Sequence, residues 1–359
     1  MSILPDAESF RRLADGSFTG AGPAVLRGLL AGLAVPYGLA TAARNRLYDR
    51  RILPVLAAPL PVLSVGNLTL GGTGKTPLVA WICRRLLTHG IRPAVVSRGY
   101  GARRGETSDE AAELAILLPE TPHVVDRDRV AAATAAARLG VDAVVLDDGF
   151  QHRRLLRDLD IVALDATDPF GCGHLFPRGL LRESATGLAR AAAVVLTRAT
   201  GVAAEARAGI RAAVTAARCG RPVVWLETEH RPAAIRTAAG DTAPLASLAG
   251  RRVAAFCGIG NPAAFRRTLL DAGVEVAGFR SFADHHAYGP GDLESLAAWA
   301  EETAAERVIT TLKDLVKIGS THLGGLPLAA VEVSLEPLAP ADELEGLLLR
   351  AVRGGRHPA

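Results

Sequence analysis

The chain has 359 residues, of which 49% are hydrophobic, 22% charged and 4% aromatic, with a formal charge of +4. This composition excludes a disordered or fibrous protein and predicts a globular one, long enough for two domains with mainly aliphatic cores. The mild, scattered positive charge does not predict a nucleic-acid partner, and no obligate protein partner is inferred. The four cysteines stand far apart without any C-x-x-C spacing, so neither a zinc site nor a disulfide framework is predicted.

The first predicted element is an apolar run from Gly28 to Ala43, with arginines on both sides of it. The run is short for a membrane-spanning helix and contains Pro36, so a transmembrane segment is not predicted. Its late start and the lack of a cleavage site argue against a signal peptide. The composition supports two interpretations equally: a buried helix, or a helix that lies on an anionic membrane surface.

Short apolar strands are predicted next, with Ala- and Leu-rich helices between them. They cover residues 61–66, 93–99, 122–126, 142–148, 160–166 and 192–198. Continuous apolar strands separated by helices are typical of a parallel sheet covered on both faces. In such sheets, ligands bind at the carboxyl ends of the strands. The predicted fold class is therefore α/β.

The second half of the chain begins with a strand at 221–232, followed by a polar stretch of small residues. Strands and helices then alternate again, up to a closing helix at 339–353. The predicted organisation has three parts. They are a nucleotide-binding domain with an N-terminal helical region at 1–225, a linker at 226–245, and a smaller α/β domain at 246–359 that closes over the active site.

One segment, "VGNLTLGGTGKTPLV" at 65–79, ends like the phosphate-binding loop G-x-x-x-x-G-K-[ST]. It follows a predicted strand and precedes a predicted helix, as this motif requires. Glycines let the backbone amides surround an anion, and the helix adds the positive end of its dipole. Lys75 is predicted to contact the β- and γ-phosphates, and Thr76 to bind Mg²⁺. The predicted nucleotide-binding residues are Thr69, Gly71, Gly72, Thr73, Gly74, Lys75 and Thr76.

An acidic pair, Asp147 and Asp148, ends the strand predicted at 142–148. Two acidic residues in a solvated loop are the simpler interpretation. However, phosphoryl transfer requires an acidic residue at the end of a buried strand to hold Mg²⁺, directly or through water. The pair, together with Thr76, is therefore the predicted magnesium site. The fold class becomes a parallel sheet of the P-loop kinase type, with a second, smaller α/β domain.

The motifs in chain order resemble the tetraacyldisaccharide 4'-kinases of lipid A synthesis. They are "GNLTLGGTGKTP", "SRGYG", "DE" before a helix, "DDGFQH", "FPRGLLRE", "FCGIGNPAAF", "FADHH" and "TTLKDLVK". That family also has Thr where the general motif has its first glycine, at Thr69. The resemblance implies transfer of the γ-phosphoryl group of ATP, with Mg²⁺, to the 4'-hydroxyl of a lipid-linked glucosamine disaccharide. It further implies a peripheral enzyme at the cytoplasmic face of the bacterial inner membrane, which favours the membrane-surface interpretation of the N-terminal run.

The resemblance also implies roles for single residues. Asp109 would be the catalytic aspartate, with His285 orienting it or sharing its proton, and Arg129 would stabilise phosphate charge beside Lys75. A sugar hydroxyl needs a carboxylate to accept its proton and cations to neutralise the migrating group. The implied substrate-binding residues are Arg98, Tyr100, Gln151 and His152.

Two other classes of protein would use the same loop and acidic pair. One is a nucleotide-dependent ATPase or GTPase switch or metallochaperone, which needs no lipid acceptor. The other is a membrane-attached nucleotide-binding module without catalysis. Incorporation of the γ-phosphate into lipid would distinguish the kinase from both.

Overall fold

A computed structural model describes residues 7–99, 109–284 and 286–354. The chain divides into two compact units. Unit 1 comprises Met1–Tyr100, Leu118–His230 and Leu335–Ala359, and unit 2 comprises Gly101–Leu117 and Arg231–Ser334.

The elements alternate along most of the chain. The strands are β1 (Val62–Asn67), β2 (Pro93–Ser97), β3 (His123–Val125), β4 (Ala143–Asp147), β5 (Leu159–Asp165), β6 (Ala193–Thr197), β7 (Val224–Arg236), β8 (Thr242–Pro244), β9 (Arg252–Cys257), β10 (Glu275–Ser281), β11 (Arg307–Thr311), β12 (His322–Leu323) and β13 (Leu326–Pro337). The α-helices are α1 (Ala7–Ala14), α2 (Ala21–Asp49), α3 (Lys75–Thr88), α4 (Asp109–Leu117), α5 (Arg129–Ala137), α6 (Ala204–Ala217), α7 (Pro262–Asp271), α8 (Pro290–Glu302), α9 (Leu312–Ile318) and α10 (Asp342–Arg353).

Unit 1 is built on a parallel sheet with the strand order β7-β6-β5-β1-β4-β2-β3. Every residue of β1, β2, β4 and β6 is buried, which is why these strands read as continuous apolar runs. Strand β1 lies inside the sheet, between β4 and β5. Its carboxyl end, with those of its two neighbours, is where a ligand is expected in such a sheet.

The close packing around β1 depends on one glycine. A Cβ atom at Gly66 would lie 2.5 Å from the Cβ of Phe150, a separation that real Cβ atoms do not show. Phe150 is fully buried and packs with Leu68, Val162 and Leu164. The absence of a side chain at Gly66 therefore lets the segment after β4 lie directly against β1.

Helix α2 is longer than the predicted apolar run. It has 29 residues and continues through Pro36, and Ala34 is its one buried residue. The buried-helix interpretation is therefore wrong, because the apolar side chains of α2 do not enter a core. By length and composition, it is the one helix within the described ranges that could cross a membrane, which by itself is weak evidence.

Unit 2 has its own parallel strands, with β9 between β10 and β11 and with β13 beside β11. The short strand β12 is antiparallel to β13, and β8 is antiparallel to the end of β7. The core is mainly aliphatic, with Phe265 among its buried members, and includes Leu269, Val253 and Ile309, all fully buried. Helix α4 packs in this unit against α9.

The predicted domain division differs from the observed units in three places. The predicted linker at 226–245 is occupied by β7 and β8, because the alternation of buried and accessible residues continues as far as Arg236. Helix α4, Asp109–Leu117, belongs to unit 2, and the closing helix α10 belongs to unit 1. Sequence periodicity shows which face of a helix is apolar, but not which core covers that face.

Candidate active site

The phosphate-loop motif lies between β1 and α3, as predicted. Asn67 Nδ2 donates a hydrogen bond to Thr73 Oγ1 at 3.0 Å, and Thr197 Oγ1 donates to the carbonyl of Thr73 at 2.9 Å. Thr69 is buried, and its backbone pairs with Leu181. The start of the loop is thus held by backbone pairing, which explains how it accepts Thr in place of glycine.

Gly74 sits at the N-cap of α3 in the left-handed conformation, with φ +78°. A Cβ atom here would lie 2.2 Å from Cε1 of His230, so the imidazole ring packs directly on this glycine. Nε2 of His230 is buried and has no hydrogen-bond partner in the described ranges. Burial, and then the positive charge of Arg198, lower the pKa of His230 to about 4, so its ring is neutral at neutral pH.

Lys75 and Arg182 meet at one carboxylate. Lys75 Nζ lies 3.4 Å from Asp148 Oδ1, and Arg182 Nη1 lies 2.8 Å from Asp148 Oδ2. Burial alone would raise the pKa of Asp148, but the two cations outweigh it and hold that pKa below its ordinary value. Asp148 is therefore ionised and forms the centre of a charged cluster beside the first residue of α3.

The predicted magnesium residues have the chemistry that the ion requires. Asp147 is buried at the end of β4, Asp148 follows it, and Thr76 stands in the first turn of α3. Across the described ranges, no group of three or more His, Cys, Asp or Glu side chains is placed to hold a metal. Mg²⁺ at phosphoryl-transfer sites uses one or two carboxylates and completes its shell with water and phosphate oxygens. Two carboxylates and a hydroxyl fit that requirement.

Arg129 begins α5 and is 5% exposed. Burial and the charge of Arg98 lower the pKa of its guanidinium, while Asp148 and Asp147 act in the opposite direction. The guanidinium stays charged, because the arginine side chain is not deprotonated in proteins. The structure thus brings Arg129, Arg98 and the acidic pair into one electrostatic environment.

His152 lies in the same environment. Burial, followed by Arg129 and Arg157, lowers its pKa to about 4, so the ring is neutral at neutral pH. Its Nε2 is buried without a hydrogen-bond partner in the described part of the chain. A neutral imidazole nitrogen can donate to or accept from a hydroxyl group, which is compatible with the predicted contact to a sugar.

Gln151 holds the loop after β4 to its neighbours. Its Nε2 donates to the carbonyl of Asn67 at 2.9 Å and to Glu183 Oε1 at 3.0 Å. Glu183 is 2% exposed and also accepts from Arg190 Nη2 at 2.8 Å and from Asn45 Nδ2 at 2.7 Å. The Gln151 amino group thus donates inside the protein, and contact of this residue with the substrate stays a prediction.

Three residues near the loop were not assigned a role from the sequence: Arg182, Arg198 and His230. Arg198 follows β6, donates a hydrogen bond to the carboxylate of Asp165, and donates another to the carbonyl of Gly72 at 3.1 Å. Its position at the carboxyl end of a predicted strand could have marked it as a candidate ligand-binding residue. Arg182 lay in the quoted motif "FPRGLLRE", whereas nothing in the sequence indicated that His230 would contact Gly74.

Asp109 is placed in unit 2, at the first position of α4. Its Oδ2 lies 3.1 Å from Lys317 Nζ on α9. The other two residues of the predicted catalytic and sugar-binding set, His285 and Tyr100, lie outside the described residues. Next to the former, His286 Nε2 lies 3.1 Å from Asp292 Oδ2, and its ring stacks on Phe282 at 4.7 Å.

Helix α2 presents an apolar surface to solvent. Its exposed large apolar side chains are Val25, Leu26, Leu29, Leu33, Val35 and Leu39. At about 100° per residue they cover about half of the helix circumference. The other side contacts protein: Tyr37 Oη donates to the carbonyl of Arg182 at 2.9 Å, and Asn45 binds Glu183. The helix is thus attached beside the charged cluster with its apolar half uncovered.

A glycine-rich loop before a helix, at the end of an internal parallel strand and beside an acidic pair, defines a P-loop protein of the α/β class. A profile of the family described as tetraacyldisaccharide-1-P 4'-kinase (LpxK) matches residues 26–353. The chain belongs to this family. The family and fold class inferred from the motifs are therefore confirmed.

Individual relatives agree with the profile. The tetraacyldisaccharide 4'-kinase of Anaeromyxobacter sp. (strain K) is 42% identical over 343 residues, covering 90% of each chain. The protein of that name from Geobacter sulfurreducens is 39% identical and covers 92% of this chain and 96% of the relative. A crystal structure of "apo" form LpxK from Aquifex aeolicus in complex with ATP matches with TM-score 0.74 and 29% identity, covering 91% of this chain and 99% of that one. None of these comparisons supports a switch or a metallochaperone.

Proposed function

We propose that the chain transfers the γ-phosphoryl group of ATP to the 4'-hydroxyl of tetraacyldisaccharide 1-phosphate in lipid A biosynthesis. The observation that carries the proposal is the cluster of Lys75, Asp148 and Arg182 at the start of α3, in a chain of the kinase family. A relative was solved in complex with ATP, which supports ATP as the phosphoryl donor.

In this proposal, the backbone amides of residues 71–74 and the N-terminus of α3 surround the β- and γ-phosphates. Lys75 exchanges its contact with Asp148 for phosphate oxygens. Asp148, with Asp147 and Thr76, would then hold Mg²⁺, which would supply positive charge to offset that of the phosphates. Arg182 keeps Asp148 ionised while Lys75 is engaged elsewhere.

On the acceptor side, Asp109 accepts the proton of the sugar hydroxyl as that oxygen attacks phosphorus. Arg129 and Arg98 neutralise the charge on the migrating group, because fixed cations in a partly buried site act more strongly than cations in water. His152, neutral at working pH, and Tyr100 contact the sugar. His285 orients Asp109 or shares its proton. The proposed chemistry therefore uses residues of both units.

The exposed apolar half of α2 supports a peripheral position at the cytoplasmic face of the inner membrane. Side chains such as Leu29, Leu33 and Leu39 would enter the acyl region. Anionic headgroups would be contacted by Arg44 and Arg46 in the last turns of the helix and by Arg50 and Arg51 just after it. An enzyme whose substrate carries several acyl chains must work at this surface.

The test uses purified protein with γ-labelled ATP, with and without tetraacyldisaccharide 1-phosphate in detergent. We expect labelled lipid when lipid and Mg²⁺ are both present, and little release of inorganic phosphate without lipid. Hydrolysis at the same rate in the absence of lipid would replace the proposal with a nucleotide switch. Binding of ATP without turnover in either condition would indicate a non-catalytic module.

A further inference from the structure

The ion pair between Lys317 and Asp109 joins two helices of unit 2. Lys317 Nζ lies 3.1 Å from Asp109 Oδ2, and the side chains are 13% and 29% exposed. Such a pair is screened by solvent less than an exposed one. It also lies at the contact between α4 and α9, so both partners are carried by packed elements.

Helix α9 is held firmly at its start. Thr311 caps it by accepting from the backbone N–H of Asp314, and Asp314 itself is fully buried. Asp314 Oδ2 accepts from the backbone N–H of Gly258 at 2.9 Å and from Thr311 Oγ1 at 2.6 Å. Leu315, on the apolar side of the helix, is fully buried. A lysine in the last turn of this helix therefore starts from a fixed backbone position.

The choice of lysine at this position is unusual for this chain. The sequence has 38 arginines and three lysines: Lys75, Lys313 and Lys317. Exposed ion pairs of unit 2 use arginine, as in Arg251 with Glu306 and Arg252 with Glu275. A surface pair accepts either cation, whereas an ammonium group is a compact point charge on a flexible stem and differs from the planar guanidinium. Lysine in a half-buried pair therefore points to a geometric requirement.

We propose that Lys317 is a positioning residue for Asp109. This inference rests on the proposed function, in which Asp109 accepts the proton of the sugar hydroxyl. By holding Oδ2, the ammonium group fixes the rotation of the carboxylate and so determines where Oδ1 points. It also offsets the repulsion between this carboxylate and the phosphates of ATP and of the lipid. Lys317 acts through Asp109 and does not itself touch the reacting atoms.

The first experiment compares Lys317→Met and Lys317→Arg with the wild type, at saturating ATP and lipid. In Lys317→Met we expect kcat to fall by about 10- to 100-fold, because a misdirected base loses much of its effect. The KM for ATP stays within about twofold, since the phosphate loop is untouched. In Lys317→Arg the positive charge remains but its geometry is altered, so we expect a kcat between those of the wild type and Lys317→Met. Arg251→Gln, which removes a cation from an exposed pair of the same unit, is the control and keeps kcat.

The second experiment places Lys317→Met in an Asp109→Asn background. If Lys317 acts through Asp109, Lys317→Met lowers kcat by less than about twofold in this background, although it lowers kcat much more in the wild type. An equal fall in kcat in the two backgrounds would mean that Lys317 acts independently, and the proposal would be wrong. Thermal unfolding and ATP binding by calorimetry confirm that each variant is folded.

The outcomes separate this inference from the proposed function. If the wild type labels the lipid and Lys317→Met does so equally fast, the inference fails while the function stands. If Lys317→Met raises the KM for lipid at unchanged kcat, Lys317 is a substrate contact and the positioning role is wrong. If the wild type labels no lipid at all, the function fails and the inference falls with it.

Discussion

The conformation of Gly74 leads to a prediction about one residue. Its φ of +78° is one that side chains disfavour, and an added Cβ would lie 2.2 Å from His230. In Gly74→Ala we expect the free energy of unfolding to fall by about 1–3 kcal/mol, because strain and overlap act together. ATP binding should be lost as the loop shifts. Chemical unfolding and calorimetry measure the two effects.

Gly72→Ala is the matched control in the same loop. A Cβ at Gly72 would meet no atom within 4 Å, and its φ is not among the positive values. We expect its free energy of unfolding to change by less than about 0.5 kcal/mol. Equal destabilisation in the two variants would show that His230 does not pack on the loop as described.

The buried His230 leads to a prediction about pH. Its pKa is lowered from 6.5 to about 4, first by burial and then by Arg198. At pH values between 4 and 6.5, this residue therefore binds a proton in the unfolded chain but not in the folded chain. The contribution to stability is complete above the unfolded pKa of 6.5 and is lost as the pH falls toward 4. The expected loss is on the order of 1–3 kcal/mol.

His230→Gln isolates this contribution, because glutamine does not titrate. We expect the difference in free energy of unfolding between wild type and variant to change as the pH falls from 6.5 to 4, with the wild type losing more. His152, whose pKa is also lowered to about 4, is present in both proteins and cancels in the difference. Parallel stability curves for the two proteins would contradict the prediction.

At the residue scale, the motifs predicted which residues of the loop come together, but not their partners. Lys75 and Asp148 were each assigned from a local pattern, whereas their contact with each other and with Arg182 depends on three separate segments. His230 is the extreme case, since it lies within strand β7 and is linked to the loop only by its contact with Gly74. Long-range contacts of this kind leave no periodic signal in the sequence.

At the element scale, the exposed face of α2 leads to a prediction about lipid binding. Val25, Leu29 and Leu33 lie one helical turn apart on the uncovered side. Replacing all three by serine removes apolar surface without touching Tyr37, which holds the helix to Arg182. We expect binding to anionic liposomes to fall at least about tenfold and the KM for lipid to rise. Sedimentation with liposomes and steady-state kinetics measure these changes.

Leu139→Ser with Leu270→Ser is the control, since these leucines are exposed elsewhere on the surface. That variant should bind liposomes like the wild type. Unchanged sedimentation of the triple α2 variant would mean that this face does not enter lipid. Deleting the whole helix is a weaker test, because it also removes the hydrogen bonds of Tyr37 and Asn45.

The strands of unit 1 could be predicted almost residue by residue, whereas α2 could not. The strand predicted at 142–148 is β4, Ala143–Asp147, because every position is buried and apolar up to the acid that ends it. In α2, Pro36 and several glycines suggested interruption, yet the helix continues over 29 residues. The apolar run thus indicated hydrophobic surface correctly, but not the length of the element.

At the scale of the whole molecule, the chain crosses between the two units four times, at residues 100, 117, 230 and 334. The sequence changes near residue 226 to a polar stretch of small residues, so two successive domains were predicted. Helix α10 instead belongs to unit 1, where Glu345 pairs with Arg85 of α3 at 3.3 Å. Its amphipathic pattern indicated a packed helix without indicating which core it joins. The closure of the smaller domain over the active site stays a prediction.

Asp109 is a residue of unit 2, whereas the phosphate loop belongs to unit 1. In Asp109→Ala we therefore expect the kcat for lipid phosphorylation to fall by about 10²- to 10⁴-fold. The dissociation constant for ATP should stay within about twofold, because the loop residues and their contacts are unchanged. Single-turnover kinetics and calorimetry measure the two quantities independently.

Lys75→Ala serves as the comparison, because it removes a phosphate contact that ATP makes on binding as well as in transfer, so we expect both the affinity for ATP and the rate of transfer to fall. If Asp109→Ala weakened ATP binding and left the rate at saturation intact, the carboxylate would be a nucleotide contact. The proton of the sugar hydroxyl would then need another acceptor. A fall in rate at unchanged affinity would instead support Asp109 as the group that accepts this proton in the chemical step.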